Sequence, residues 1–225
     1  QTAVLALLVD RRRKRENFKP EPYWLLKARF ENPKGQWWGS WFDKTRTRFL
    51  KEEEAKAVEK KIENREGRVV SAKKQKKKQP PPLLYSLTDL QRDANTRFGF
   101  TAKKTLSIAQ ALYEEKKCLS YPRTEARVLG KKNVELVEKI VGALSKSYPQ
   151  LFEKIVEERI DDGYKRVFDD SRLTDHHAIV PLAPVPARAT ADEKKVYDLV
   201  LKRFAAAFHA DCEYEKTSIV TQVEQ

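Results

Sequence analysis

Methionine is absent from this 225-residue sequence, and cysteine and histidine occur only two and three times. Cys118 and Cys212 are far apart, His176 and His177 are adjacent, and no Cys/His spacing matches a zinc site. Two isolated cysteines fit a reduced, cytosolic setting. The seven glycines include no phosphate-cradling loop, which excludes a P-loop nucleotide site. The acidic pairs Asp161-Asp162 and Asp169-Asp170 fall in loops with no apolar strand before them, so no magnesium site is visible. The longest apolar run, Ala3 to Val9, is far shorter than the roughly 20 residues of a membrane helix. It also lacks the basic lead-in of a signal peptide. The chain opens on an apolar helix already under way and without methionine, so it reads as a piece of something larger.

What is abundant is positive charge. Lys plus Arg number 46 against 33 Asp plus Glu, a net charge of +13. Such an excess favours polyanionic partners, nucleic acid first, because each phosphate contact releases condensed counterions. Apolar residues make up 40% of the chain, enough for a real core in one or two domains.

Periodicity divides the chain into three textures. Thr2 to Glu16 reads as the end of a helix, with the cationic run Arg11 to Arg15 suited to the helix C-terminus. Tyr23 to Phe30 alternates as a half-buried strand, Asn32-Pro33-Lys34-Gly35 turns, and the Trp-rich Gln36 to Phe42 returns. Glu52 to Asn64 is a charged helix and Arg68 to Ala72 a short strand. Lys73 to Pro82 is then a basic stretch running into polyproline, extended and marking a boundary.

The middle is helical. It predicts helices over Thr88–Phe98, Ala102–Lys116, Asn133–Lys146 and Gln150–Ile160, and a long one from the capping box Thr190-Ala191-Asp192-Glu193 to near His209. Tyr214 to Val223 alternates again as a strand. The expected fold is a multidomain α+β protein. A β-rich gate or hinge domain over 17–82 and 208–225 takes an inserted helical domain over 83–207, helix-turn-helix or winged-helix-like, and 1–16 is the remnant of another domain. The last strand is expected to return to the first sheet, because inserted domains need their two ends close together.

Chemistry concentrates in Ser86 to Leu129, which delivers Ser120-Tyr121-Pro122-Arg123-Thr124. A phenol, with a reference pKa of about 10, is a poor nucleophile unless a base or cation assists it. Arg123 supplies a fixed cation with planar donors suited to phosphate. A turn containing an ordinary tyrosine explains Tyr-Pro-Arg equally simply. The same doubleness holds elsewhere: His176 and His177 fit a phosphate contact or a structural role, and Lys103 and Lys104 fit a backbone track or solvated lysines. Trp24, Trp37, Trp38 and Trp41 fit base stacking or sheet core.

Taken together, the motifs resemble those of type IA DNA topoisomerases, especially the topoisomerase III branch. Ser120-Tyr121-Pro122-Arg123-Thr124 is similar to that family's active-site motif. Leu87-Thr88-Asp89-Leu90-Gln91, Ala94-Asn95 and Phe98-Gly99-Phe100 are similar to the helix pair before it, and Thr174-Asp175-His176-His177-Ala178-Ile179-Val180-Pro181 to a second motif. The resemblance implies that Tyr121 attacks a DNA phosphodiester and keeps the 5′-phosphate, while Arg123 clamps the scissile phosphate. It implies DNA contacts from His176, His177, Lys103, Lys104, Thr124 and Arg127. The implied partner is single-stranded or negatively supercoiled DNA, the implied cofactor Mg²⁺ with its ligands outside this chain, and the implied setting the bacterial cytoplasm and nucleoid. The resemblance further implies that strand passage needs no ATP and that the metal-binding domain and most of the single-strand-binding domain lie outside this chain. Departures occur at Glu125-Ala126, where the family has Asp-Ser, at Val128 for an aromatic, and at Leu182 for threonine. A helix-turn-helix module without catalysis, built from Thr88–Phe98 and Ala102–Lys116, is the rival reading. Tyr121 is expected on the surface.

Overall fold

A computed structural model describes residues 2–173 and 175–223; Thr174, part of a motif named above, lies outside the described residues. The fold mixes helices with small two-stranded sheets. Two compact units divide the chain, residues 1–75 with 215–225, and residues 76–214.

The first unit holds α1 (Thr2–Glu16), β1 (Lys27–Asn32), β2 (Gly35–Ser40) and α2 (Glu52–Ile62), together with parts of β3 (Gly67–Gln79) and β4 (Cys212–Val223). β1 and β2 form an antiparallel hairpin in register from Lys27 opposite Ser40 to Asn32 opposite Gly35. Gly35 has φ of 149°, which a side chain rarely allows. The alternation holds: Trp24, Leu26, Ala28, Phe30, Trp37 and Trp41 face inward and are half-buried. Strand pairing, however, begins at Lys27 rather than Tyr23. Trp24 is held by an isolated bridge to Phe49, the fully buried centre of this unit. A cavity of about 720 Å³ lies between the inward faces of β1 and β2, α2 and the strands β3 and β4.

Two sequence expectations are corrected here. The basic stretch Lys73 to Gln79, where the two units divide, is the continuation of β3 and not an unpaired boundary segment, and β4 pairs with β3 in a separate sheet instead of joining β1 and β2. Cross-strand carboxylates explain how so many lysines sit in a strand: Lys74 pairs with Glu215 at 3.1 Å and Lys78 with Glu213 at 2.7 Å. The strand stops at Gln79 because Pro80 to Pro82 have no N–H to give a ladder.

In the second unit, α3 (Leu87–Phe98), α4 (Ala102–Glu114) and α7 (Ala191–Ala207) pack together, joined by α5 (Val134–Ser147) and the short α6 (Pro149–Phe152). Caps define the ends. Ser86 accepts from the Asp89 N–H at 3.2 Å, Gly99 ends α3 at φ of 68°, and Thr101 accepts from the Lys104 N–H at 3.1 Å. Thr190 and Glu193 form the predicted capping box of α7. That helix is the core of the unit, burying Val196, Tyr197, Val200, Leu201 and Phe204. The continuous helix expected over Gln150–Ile160 is absent. The Val156 N–H bonds instead to the Phe208 carbonyl at 2.7 Å, and Ile155 bridges to His209, so tertiary pairing overrides the helical period.

Three arginines hold the incoming and outgoing chain of this unit. Arg166 donates to the Pro81 carbonyl, and Arg159 donates to the His209 carbonyl at 2.6 Å and to Asp211 at 2.7 Å. Arg203 donates to the Leu83 carbonyl at 3.3 Å and to Asp93 at 2.7 Å, and stacks 4.2 Å over the Tyr85 ring. The Tyr85 hydroxyl donates to the same Asp93 carboxylate at 2.5 Å. Burial, and then this bond, push the Tyr85 phenol up to about 12 against the pull of Arg203.

Replacing Arg203 by Leu leaves the Asp93 carboxylate with the Tyr85 hydroxyl but without its cation, and is expected to cost about 2 kcal/mol of stability. Arg92→Ala, which removes only an exposed partner of Asp89, is expected to stay within about 0.5 kcal/mol. Thermal melts followed by circular dichroism compare the two; equal losses would deny the clamp its role.

Candidate active site around Tyr121

The site is made where α4 ends. The chain leaves that helix through Lys117, whose φ of 54° lies in the left-handed region, and turns into an extended run. Leu119 pairs with Pro181. The Ser120 N–H donates to the Val180 carbonyl at 2.9 Å, and the Val180 N–H donates to Ser120 Oγ, also at 2.9 Å. Ser120 Oγ in turn donates to the Ala178 carbonyl at 3.4 Å. The Leu182 N–H reaches the Cys118 carbonyl, and the Ala178 N–H the Val128 carbonyl, each at 2.9 Å. Two segments about sixty residues apart are thereby stitched side by side over an apolar floor of Leu119, Val128, Leu129, Ile179 and Val180.

Tyr121 is the first residue beyond this stitched pair. Its ring lies 4.6 Å from that of His176 and meets Tyr113 edge-on at 5.5 Å. It is half-buried between these neighbours rather than lying open on the surface. Pro122 is buried and holds the backbone extended. Thr124 is buried as well; its Oγ1 donates to the His176 carbonyl at 3.4 Å and accepts from the Ala126 N–H at 3.1 Å. The Thr124 carbonyl accepts from the Leu87 N–H at 2.8 Å, which ties the tyrosine loop to the start of α3. Thr124 thus couples the backbones that carry Tyr121 and His176.

The basic residues divide by what holds them. Arg123 is exposed and makes no ion pair among the described residues. Arg127 grips Asp89, Nε to Oδ2 at 2.5 Å and Nη2 to Oδ1 at 2.9 Å, in a two-point pair on the first turn of α3. Lys104 is drawn to Asp192 at 2.7 Å and lies 4.1 Å over Phe100, whereas Lys103 is exposed. His177 donates from Nδ1 to the Ala178 carbonyl at 2.7 Å. The structure therefore gathers Tyr121, His176 and Thr124, leaves Arg123 open beside them, and engages Arg127, Lys104 and His177 within the chain.

Sequence reasoning passed over Tyr113, Asp89 and Thr88. Tyr113, on α4, turns its edge to Tyr121. Asp89, in the first turn of α3, takes both Arg127 and Arg92. Thr88 donates to Glu125 at 2.9 Å, so the glutamate at this departure from the family pattern is anchored to α3. An acid or hydroxyl one turn into a helix was the available signal, yet its partner lies in another segment.

Among the described residues, no three Asp, Glu, His or Cys side chains converge as metal ligands. The groups around Tyr121 are aromatic, hydroxyl and guanidinium, unlike the carboxylate-rich oxygen sets that hold Mg²⁺. No helix among them is long and apolar enough to cross a membrane.

The second unit thus presents a tyrosine loop braced by a histidine-bearing segment. A sequence model of the DNA topoisomerase family matches residues 1–225, and the chain belongs to that family, in its type IA branch. DNA topoisomerase 3 of Bacillus subtilis is 36% identical over 99% of this chain, as is that of Bacillus anthracis. The chain spans 31% of the length of each. The full-length topoisomerase I of Thermotoga maritima has the same fold over 98% of this chain, with a TM-score of 0.68 and 24% identity, and the match covers 35% of that structure. Membership in this family favours the topoisomerase reading over an isolated helix-turn-helix module.

Cys118, three residues before Tyr121, is fully buried, and burial pushes its thiol up to about 11. Cys212 is exposed. A thiol-reactive dye is expected to label one cysteine in the native chain and two after denaturation. Two fast-reacting thiols in the native state would contradict a closed floor beneath the tyrosine. Cys118 and Tyr85 hold their protons more tightly when folded than at their ordinary values of 9.0 and 10.0, so their contribution to stability is complete below about pH 9 and is lost as the pH rises through the folded values.

Proposed function

We propose that the protein containing this chain is a type IA topoisomerase that cuts one DNA strand, passes another through the break and reseals it without ATP. Tyr121 is the nucleophile. Its phenolic oxygen attacks phosphorus as the phenol gives up its proton; a tyrosine–phosphorus bond forms on the 5′-phosphate side. The bond to O3′ breaks, and that oxygen leaves as a hydroxyl after taking a proton. Resealing is the reverse, and because the phosphodiester energy is kept in the covalent link no nucleotide is consumed.

The observation that supports this best is the packing of Tyr121 against His176 at 4.6 Å with the uncommitted guanidinium of Arg123 two residues on. Flanked by two rings, the phenol has few rotamers to lose before attack. Arg123 offers parallel N–H donors to the scissile phosphate and offsets the charge that grows on it. His176 contacts the DNA near the cut, with His177 and the exposed Lys103 as lesser contacts. Thr124 and Arg127, through the His176 carbonyl and Asp89, serve chiefly to hold the loop, and Lys104 acts only if it leaves Asp192.

Mg²⁺ and the acid–base groups would belong to parts of the protein outside this chain, since no fitting ligand set forms among the described residues. In the same reading the substrate is single-stranded or negatively supercoiled DNA in the bacterial cytoplasm. Residues 17–82 and 208–225 form the gate, 83–207 the domain that swings with Tyr121, and 1–16 belongs to a single-strand-binding domain. This chain alone neither relaxes nor decatenates DNA.

End-labelled single-stranded DNA incubated with the whole protein and then denatured should yield a covalent adduct. Tyr121→Phe should abolish it, and Arg123→Ala should reduce the cleavage rate by at least about a hundredfold, the loss usual for one transition-state donor. An adduct surviving in Tyr121→Phe would assign the nucleophile elsewhere.

A further inference from the structure

The four tryptophans of the first unit do not share one fate. Trp24, Trp37 and Trp41 turn inward, whereas Trp38 points out from β2 and is 69% exposed. The register sets Arg29 directly opposite it, with Lys27 on the diagonal opposite Ser40. Both cations are exposed and without ion pairs among the described residues; the single acid of this face, Glu31, stands opposite Gln36 at the turn end. At the other end Tyr23 is 53% exposed, with the Arg48 guanidinium 5.3 Å over its ring. An outward sheet face ordinarily carries polar residues, so an exposed indole beside two uncommitted cations calls for a partner.

We infer that the outward face of the β1–β2 hairpin binds single-stranded DNA, stacking an unpaired base on Trp38 and holding its phosphates with Arg29 and Lys27. Three features select this occupant. The indole offers a flat π-face, which any unpaired base can use and a paired base inside a duplex cannot. The charge of the face complements a phosphate backbone. Lysine is depleted at protein–protein interfaces, which weighs against a protein cover for this face. The site lies wholly in the first unit and uses no part of the Tyr121 loop, so it extends the proposed function rather than restating it; only the choice of DNA as the nucleic acid rests on the family.

The test is photocrosslinking of the chain to a short oligothymidylate carrying 5-iododeoxyuridine, followed by peptide mapping. The expected result is a crosslink on the peptide containing Trp38, unchanged in Tyr121→Phe, so that failure here and failure of the nucleophile assignment remain separable. Trp38→Ala should remove that crosslink and weaken binding about tenfold, whereas Trp38→Phe, which keeps a ring, should bind within about twofold of the parent. The double variant Lys27→Ala with Arg29→Ala should flatten the salt dependence of binding. Because all three side chains are exposed, these variants retain the parent's circular dichroism. Crosslinks confined to other peptides, or unchanged binding by Trp38→Ala, would overturn the inference. So would a concentration-dependent dimer that Trp38→Ala dissolves while DNA binding stays the same, because the face would then be a protein interface.

Discussion

The pairing of Leu119 and Ser120 with Val180 and Pro181 is the constraint on which the site depends. Without it, the tyrosine motif and the histidine motif are two loops separated by the whole of α5 and its following turns. With it, the Ser120 hydroxyl is used twice, accepting from one backbone N–H and donating to a neighbouring carbonyl, so neither segment can slide by a residue without losing both bonds. A buried backbone group left unpaired costs on the order of 1–3 kcal/mol, which is why a short ladder over an apolar floor holds its register firmly. Tyr121 inherits that precision because it follows immediately.

The same loop separates two kinds of arginine. Arg127 is committed to Asp89, whose side chain is only 14% exposed, and such a two-point pair anchors the loop to α3 at the expense of its availability to a ligand. Arg123 is exposed and pairs with no carboxylate among the described residues. A guanidinium kept this way retains its full charge and all its donors for an anion arriving from outside. Composition counts both residues equally, but of the two only Arg123 is left with an open guanidinium.

Charge is handled differently again in β3. Its lysines look, in sequence, like a solvated linker, yet acids arriving more than a hundred residues later in β4 pair with two of them and make the stretch a strand. In the helical unit, arginines clamp carbonyls of the incoming and outgoing chain, and α7 supplies the buried surface against which α3 and α4 settle.

Much was legible from residues alone. The hairpin turn, the caps at Ser86, Thr101 and Thr190, the Gly99 break and the inward alternation of Trp24 to Phe30 are local signals, because each rests on hydrogen bonds or periodicities spanning only a few residues. The motif around Tyr121 pointed to Tyr121 as the candidate nucleophile and to Arg123 as its candidate phosphate clamp. What the tertiary structure decided were the long-range matters: that β4 pairs with β3, that Gln150–Ile160 gives up its helix to bond with Phe208, that Tyr113 faces Tyr121, that Arg127 is captured by Asp89, and that Trp38 alone of four tryptophans faces outward. The reason is common to all five. Each depends on a partner brought near by packing, and no local preference of the residue itself carries the identity of that partner.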